Sequence, residues 1–317
     1  MKLFQSRVCY PQSAETTAIQ PFLEYYGAAM MNTAAATFQA GSFEHRELLA
    51  RFFLDTHVDY TPETIEWPRL EEHERARLAA MSFWQEAVST ENETSNKVAA
   101  AAALEPDPEI RRAIEMQGFE EHRHARLLLE LTSTYAIPVQ TPPRFTPKKL
   151  ESDFLSAGYG ECLDSFFAFG LFALAQESGY FTRALIQVFE PVVQEEARHI
   201  LFFVNWVRYR RTLLPWWQRP LYRLKCAAII CRKILSRVQM ARAMSGGDGD
   251  KSKPDSDTSF TLTAADQVAK PISLHRLLGV CLSENERRMN AYDARLVRPR
   301  LMPTLVRFAH RWMPKSL

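Results

Sequence analysis

The chain has 317 residues, of which 46% are hydrophobic and 24% charged, with a formal net charge of +2. That length can bury a large core and hold one long domain or two, and the near-neutral total says little until its distribution is read. Five cysteines (Cys9, Cys162, Cys226, Cys231 and Cys281) are odd in number and form no CxxC pair. They argue against a disulfide framework and for reduced thiols in an intracellular compartment. Residues 1–7 lack the apolar core of a signal peptide, and no run of about 18 uncharged apolar residues is long enough to span a bilayer. The expectation is a cytoplasmic protein. Gly is scarce, and long Ala/Leu/Glu/Arg stretches run without it, which points to an all-α fold.

Residues 1–69 read as an N-terminal helical extension, with helices expected over 25–38 and 43–57, broken by Gly41-Ser42 and packed on the outside of the rest. A longer helix is expected from about Leu70 to Leu104. Its apolar stripe is Met81, Trp84, Val88, Glu91, Ser95, Val98 and Ala102, so Glu91 sits in mid-seam. Asp107 and Pro108 have the chemistry of an N-cap and an N1 residue, and a second helix should run from Pro108 to about Tyr135. Its stripe is Ile110, Ile114, Gln117, Glu121, His124, Leu128 and Leu131. In an antiparallel hairpin Glu91 and Glu121 fall at nearly the same height. The prolines of 136–150 predict an extended crossover.

A third helix from about Phe154 is apolar nearly all round. Two carboxylates compete on it. Glu177 lies on the apolar stripe, and Glu161 shares its face with Asp164, Ala168 and Phe172. The fourth helix, to about Arg211, has the seam Val192, Glu196, His199, Phe203 and Trp206; Pro191 is either its first residue or an interior kink if Ser178-Gly179 is the turn.

The phrases Glu121-x-x-His124 and Glu196-x-x-His199 each aim a carboxylate and an imidazole at one point, because positions i and i+3 share a helix face. Each also carries an Arg (Arg123, Arg198) just before the His, suited to pairing with a carboxylate on another helix. Two such helices, with one inward Glu from each of two more, form the ligand set of a dinuclear site in a four-helix bundle. The expected metal ligands are Glu91, Glu121, His124, Glu177, Glu196 and His199. Glu161 is the alternative to Glu177: Glu177 is favoured by its place on the seam, Glu161 by its height in the hairpin. A carboxylate-rich set with two His suits iron or manganese, and the lack of Cys argues against structural zinc.

The pattern over residues 70–211 resembles the ferritin-like di-iron carboxylate superfamily. Gln176-Glu177-Ser178-Gly179-Tyr180-Phe181-Thr182 is similar to the third-helix segment of bacterial multicomponent monooxygenases, and Glu196-Ala197-Arg198-His199-Ile200 to the fourth-helix ligand pair of many members. The spacing departs from the family, where more residues usually separate the third-helix Glu from the fourth-helix pair than separate Glu177 from Glu196. The resemblance implies a ferritin-like four-helix bundle and two iron ions. It also implies oxidase or oxygenase chemistry with O₂, an electron donor and a small or lipid-like substrate. A tRNA-modifying di-iron hydroxylase and a non-enzymatic metal-binding bundle are the alternatives.

Residues 212–244 form a basic aromatic segment, with Trp216-Trp217 followed by Arg and Lys among Leu, Ile and Tyr, and no Asp or Glu from 199 to 247. Over 208–243 it can serve as a packing helix with a solvated basic face, a membrane-surface contact or an RNA contact. Residues 245–266 read as a polar disordered linker, and 267–317 as a C-terminal helical segment with many Arg and an apolar stripe.

Overall fold

In the computed structural model, residues 38–245 and 273–314 are described. Cys9, all but the last residue of the expected helix over 25–38, and all but the first residue of the 245–266 linker lie outside them. The described residues form nine α-helices and no strand. These are α1 (Phe43–Asp55), α2 (Glu72–Ala79), α3 (Trp84–Ala102), α4 (Pro108–Thr134), α5 (Leu150–Glu177), α6 (Arg183–Leu213), α7 (Arg219–Ser245), α8 (Leu274–Asn290) and α9 (Leu301–Trp312), with one 3-10 turn at Pro62–Thr64. No helix among them is long and apolar enough to cross a membrane.

The helices α3 and α4 make one hairpin, α5 and α6 another, and α3 lies against α5. The expected seams become the interior. Val88, Val98, Ile110, Ile114 and Leu131 are each fully buried, as are His124 and His199. The long first helix is in fact two pieces. The chain breaks between Ala79 and Trp84, where the Trp84 indole N–H donates to the Leu78 carbonyl at 2.8 Å and Leu78, Met81 and Trp84 share one hydrophobic cluster.

Local chemistry sets the turns. Asp107 caps α4, accepting from the backbone N–H groups of Glu109 and Ile110, and Arg46 of α1 donates to the same carboxylate at 2.6 and 2.8 Å. Glu105 in that turn accepts from the Trp206 indole at 2.9 Å, which ties the α3–α4 hairpin to α6. Gly179 takes φ +64° after α5, a left-handed turn that glycine adopts without strain, and Thr182 then caps α6. The α6 helix therefore starts well before Pro191 and runs through it. Residues 135–149 cross between the hairpins without helix, as their prolines require.

The flanking segments add to the same core. Phe52 and Phe53 of α1, Tyr222 of α7 and Met289 of α8 share one buried cluster with the central helices, so α1 completes the interior and is not an outer layer. At Gly170 a Cβ would lie 2.9 Å from the Cys281 backbone, so α5 and α8 meet almost backbone to backbone. Cys162, Cys226, Cys231 and Cys281 are free thiols.

Asp107→Ala removes the cap and the partner of Arg46, and should cost about 1–2 kcal/mol at neutral pH, read as a lower urea midpoint. The Arg46 contact holds the Asp107 carboxyl below its ordinary value of 3.8. Its stabilising contribution is complete above that value and is lost as pH falls through the depressed one. The gap between wild type and variant should close toward strongly acidic pH.

Candidate metal centre

Four helices each deliver one carboxylate to a common point in the interior: Glu91 from α3, Glu121 from α4, Glu161 from α5 and Glu196 from α6. The imidazoles of His124 and His199 enter from α4 and α6, with ring centroids 5.6 Å apart. Two overlapping groups result, Glu91–Glu121–His124–Glu196 and Glu121–Glu161–His199, and within each the ligand atoms lie inside 4.8 Å of one another. Glu121 belongs to both. Glu196 Oε1 stands 3.2 Å from His124 Nδ1 and 4.0 Å from His199 Nδ1, so it too faces both halves.

Glu177, the sequence-favoured carboxylate, is not brought to this point. It is the last residue of α5, its side chain is 54% exposed, and it pairs with Arg276 of α8 at 2.8 Å. Glu161 takes the place instead. The reason is the early turn: with α6 starting at Arg183, hairpin height matches Glu196 to a residue deep in α5. The fully buried seam of α5 faces α8 through Gly170, while the half-buried stripe with Glu161, Asp164 and Ala168 faces the interior cavity.

Each imidazole is fixed from behind by an acid absent from the sequence-derived ligand set. Glu195 Oε2 accepts from His124 Nε2 at 2.8 Å, and Glu120 Oε2 accepts from His199 Nε2 at 2.9 Å. Arg123 donates to Glu195 at 2.6 Å, and Arg198 donates to Glu120. The arrangement is reciprocal: the Glu on one helix orients the His and neutralises the Arg of the other. His57 also contacts Glu120, and the Tyr60 hydroxyl reaches Glu195 at 3.4 Å. The signal was present in the chain. Both phrases read Glu-Glu-x-Arg-His, as Glu120-Glu121-His122-Arg123-His124 and Glu195-Glu196-Ala197-Arg198-His199.

Other expectations resolve individually. The Gln117 side-chain amide donates to Glu161 at 3.5 Å, and Ser165 donates to Glu196 at 3.3 Å. Tyr180 packs with Phe181 and under Arg77, in the cluster at the far end of α5. His275 lies against His310, the tilted rings having centroids 3.9 Å apart.

With Nε2 engaged behind, Nδ1 of each imidazole points inward. His199 Nδ1 lies 2.8 Å from Glu121 Oε1 and His124 Nδ1 3.2 Å from Glu196 Oε1, but neither approach has hydrogen-bond geometry, so both Nδ1 atoms, with Glu121 Oε1 and Glu161 Oε1, are buried without a hydrogen bond among the described residues. Such atoms cost free energy unless something completes them. The charges agree with this. Glu120 and Glu195 are balanced by Arg198 and Arg123, which leaves four carboxylates facing two imidazoles. Two divalent cations bring that inner set to neutrality with both imidazoles uncharged. The donor set therefore fits a pair of hard-to-intermediate ions of the iron or manganese type.

Without ions, protons must do this work. Burial pushes the Glu91 carboxyl up to about 8, outweighing the opposing pull of His124 and aided by Glu121 and Glu196. Burial likewise holds Glu161 well above the carboxylate range, with Glu121 and Glu196 adding to it. For His124, burial disfavours the charged ring, but Glu195, Glu196 and Glu91 outweigh it and raise the imidazole well above its ordinary value. His199 behaves the same way against Glu121 and Glu120.

The ligand set opens on a cavity of about 280 Å³. Its wall is mostly apolar, with Trp84, Leu131, Phe169, Phe172, Phe181 and Phe189 among the lining residues, and Lys97, Lys233 and Arg237 also border it.

Two expectations can be measured. Ions must displace the protons on Glu91, Glu161 and the imidazoles, so loading Fe(II) near pH 7 should release protons into weak buffer. The sign follows from Glu91: its folded pKa near 8 lies above the ordinary 4.5, so its protonation stabilises the metal-free fold at low pH and that contribution is lost as pH rises toward 8. The rise in Tm on metal loading should therefore grow from pH 6 to pH 8, and a shift independent of pH would contradict this. Separately, Glu195→Gln should weaken ion binding by about 10–100-fold in chelator competition, and should lower Tm because Arg123 loses its buried anion.

Comparison of the chain with family models, with characterised proteins and with solved structures finds no match.

Proposed function

We propose that the chain is a ferritin-like four-helix bundle with helical extensions, holding two iron ions, and that it oxidises or oxygenates an apolar or lipid-like substrate with O₂. Manganese meets the same donor set. The observation that carries this reading is the inner group of four carboxylates and two inward Nδ1 atoms, whose charge two divalent ions would balance, opening on an apolar cavity.

Glu91 and His124 would hold one ion, Glu161 and His199 the other, with Glu121 and Glu196 shared. When bound, the ions supply redox chemistry toward O₂, with electrons from an external donor. The chain supplies the rest. Glu120 and Glu195 hold the imidazoles in one orientation and tautomer, and Arg123 and Arg198 keep those two acids ionised. The aromatic and aliphatic wall excludes water and positions an apolar group beside the shared carboxylates. That wall favours a substrate enzyme over a passive iron store, and an apolar substrate over a polar nucleotide end.

Purified protein should contain two ions per chain by metal analysis. His124→Ala, His199→Ala and Glu161→Ala should each lose metal, and Glu177→Ala should keep it. With reductant present, the loaded wild type should consume O₂. Full metal content in the His variants would remove the site, whereas a loaded protein that consumes no O₂ would remove the oxidase reading and leave the metal centre standing.

A further inference from the structure

The helix α9 carries an exposed apolar stripe that no part of the described chain covers. Leu301, Leu305, Phe308 and Trp312 recur at helical spacing, and the last two are 70% and 72% exposed. The opposite side of α9 is already used, with Val306 buried among Phe166, Leu171 and Leu174 of α5. Among the described residues nothing packs against the stripe. Exposed Arg300, Arg307 and Arg311 flank it, and no Asp or Glu occurs after Asp293.

A second element repeats this chemistry independently. Trp216, at 79% exposure, and Trp217 precede α7, whose outer side shows Leu221, Leu224 and Leu235 beside exposed Arg219, Arg223 and Arg232. The acids that α7 and its approach do meet, Glu151 and Asp164, lie inward on α5 and pair with Arg210, Lys225 and Arg237. Both elements lie along α5. Gly160 and Asp164 of α5 face α7, and Phe167 and Leu171 belong to the cluster with α9. Those four positions share one face of α5, so α7 and α9 lie in succession along the same side of the molecule.

We infer that this side is a docking surface for a bilayer bearing anionic lipid. Charge complementarity selects the occupant. Two copies of a face this rich in Arg, with no acid on α7 or α9, would repel each other, whereas an anionic headgroup layer would attract it and the hydrocarbon boundary would accept the Trp, Phe and Leu side chains. A nucleic-acid backbone would satisfy the Arg residues but would leave the aliphatic stripe in water. The helix α7 also borders the apolar cavity through Lys233 and Arg237, so the surface and the cavity share a wall.

The test uses the full chain with sedimenting vesicles of phosphatidylcholine alone or mixed with phosphatidylglycerol, and gel filtration alongside. Wild type should bind the anionic vesicles and leave them at high salt, with a blue shift in Trp emission. Phe308→Ser/Trp312→Ser and, separately, Arg307→Glu/Arg311→Glu should each weaken binding by about tenfold or more, with circular dichroism and metal content unchanged because all four side chains are exposed. Four results would overturn the inference. One is wild type that ignores anionic vesicles; another is binding that the variants do not alter. The third is a dimer in gel filtration that Phe308→Ser/Trp312→Ser converts to monomer, which would assign the face to a second copy. Tighter binding to single-stranded RNA than to the vesicles would likewise reassign it.

Discussion

The structure depends on one electrostatic constraint: four carboxylates and two imidazoles face each other at a point surrounded by apolar side chains. Charges held that close in a low-dielectric interior are tolerable only if cations or protons neutralise them. The surrounding chemistry is arranged so that the neutraliser is not an arginine. The two buried guanidiniums nearby are each committed to an acid one position before a ligand, Arg123 to Glu195 and Arg198 to Glu120. Those pairs balance themselves and leave the inner set short of positive charge.

Holding that set together requires register across four helices, and the fold spends its special residues on register. The Asp107 cap fixes where α4 starts relative to α3, and Glu105 locks the same turn to Trp206. Gly179 and Thr182 fix where α6 starts relative to α5. A slip of one residue in either hairpin rotates a side chain by about 100° and takes its carboxylate off the site. The reciprocal Glu–His and Glu–Arg bonds between α4 and α6 then hold the two histidine-bearing helices at one height.

Much of this was legible in the chain. The stripes through Glu91, Glu121 with His124, and Glu196 with His199 are periodic and strongly amphipathic, and they lie where the periodicity puts them. The helix α5 is different, because it is apolar on every side, buried against α8 on one face and open to the cavity on another. Its most apolar stripe is therefore not the one that faces the site, and reading the seam alone leads to Glu177 in place of Glu161. Glu120 and Glu195 each sit one residue off their seam, where a carboxylate reads as solvated. Only the partner helix, brought alongside by the fold, buries them. The outward stripe of α9 could be read as periodic in sequence, but its direction could not, since a helix that packs one side and shows the other looks the same on paper as one reversed.

The most direct test of the central claim is anomalous diffraction at the iron edge from crystals of the iron-loaded protein. Two peaks should appear, one beside Glu91 and His124 Nδ1 and one beside Glu161 and His199 Nδ1, with Glu121 and Glu196 between them. The absence of peaks there, or a salt-bridged arrangement with an arginine turned into the inner group, would contradict it.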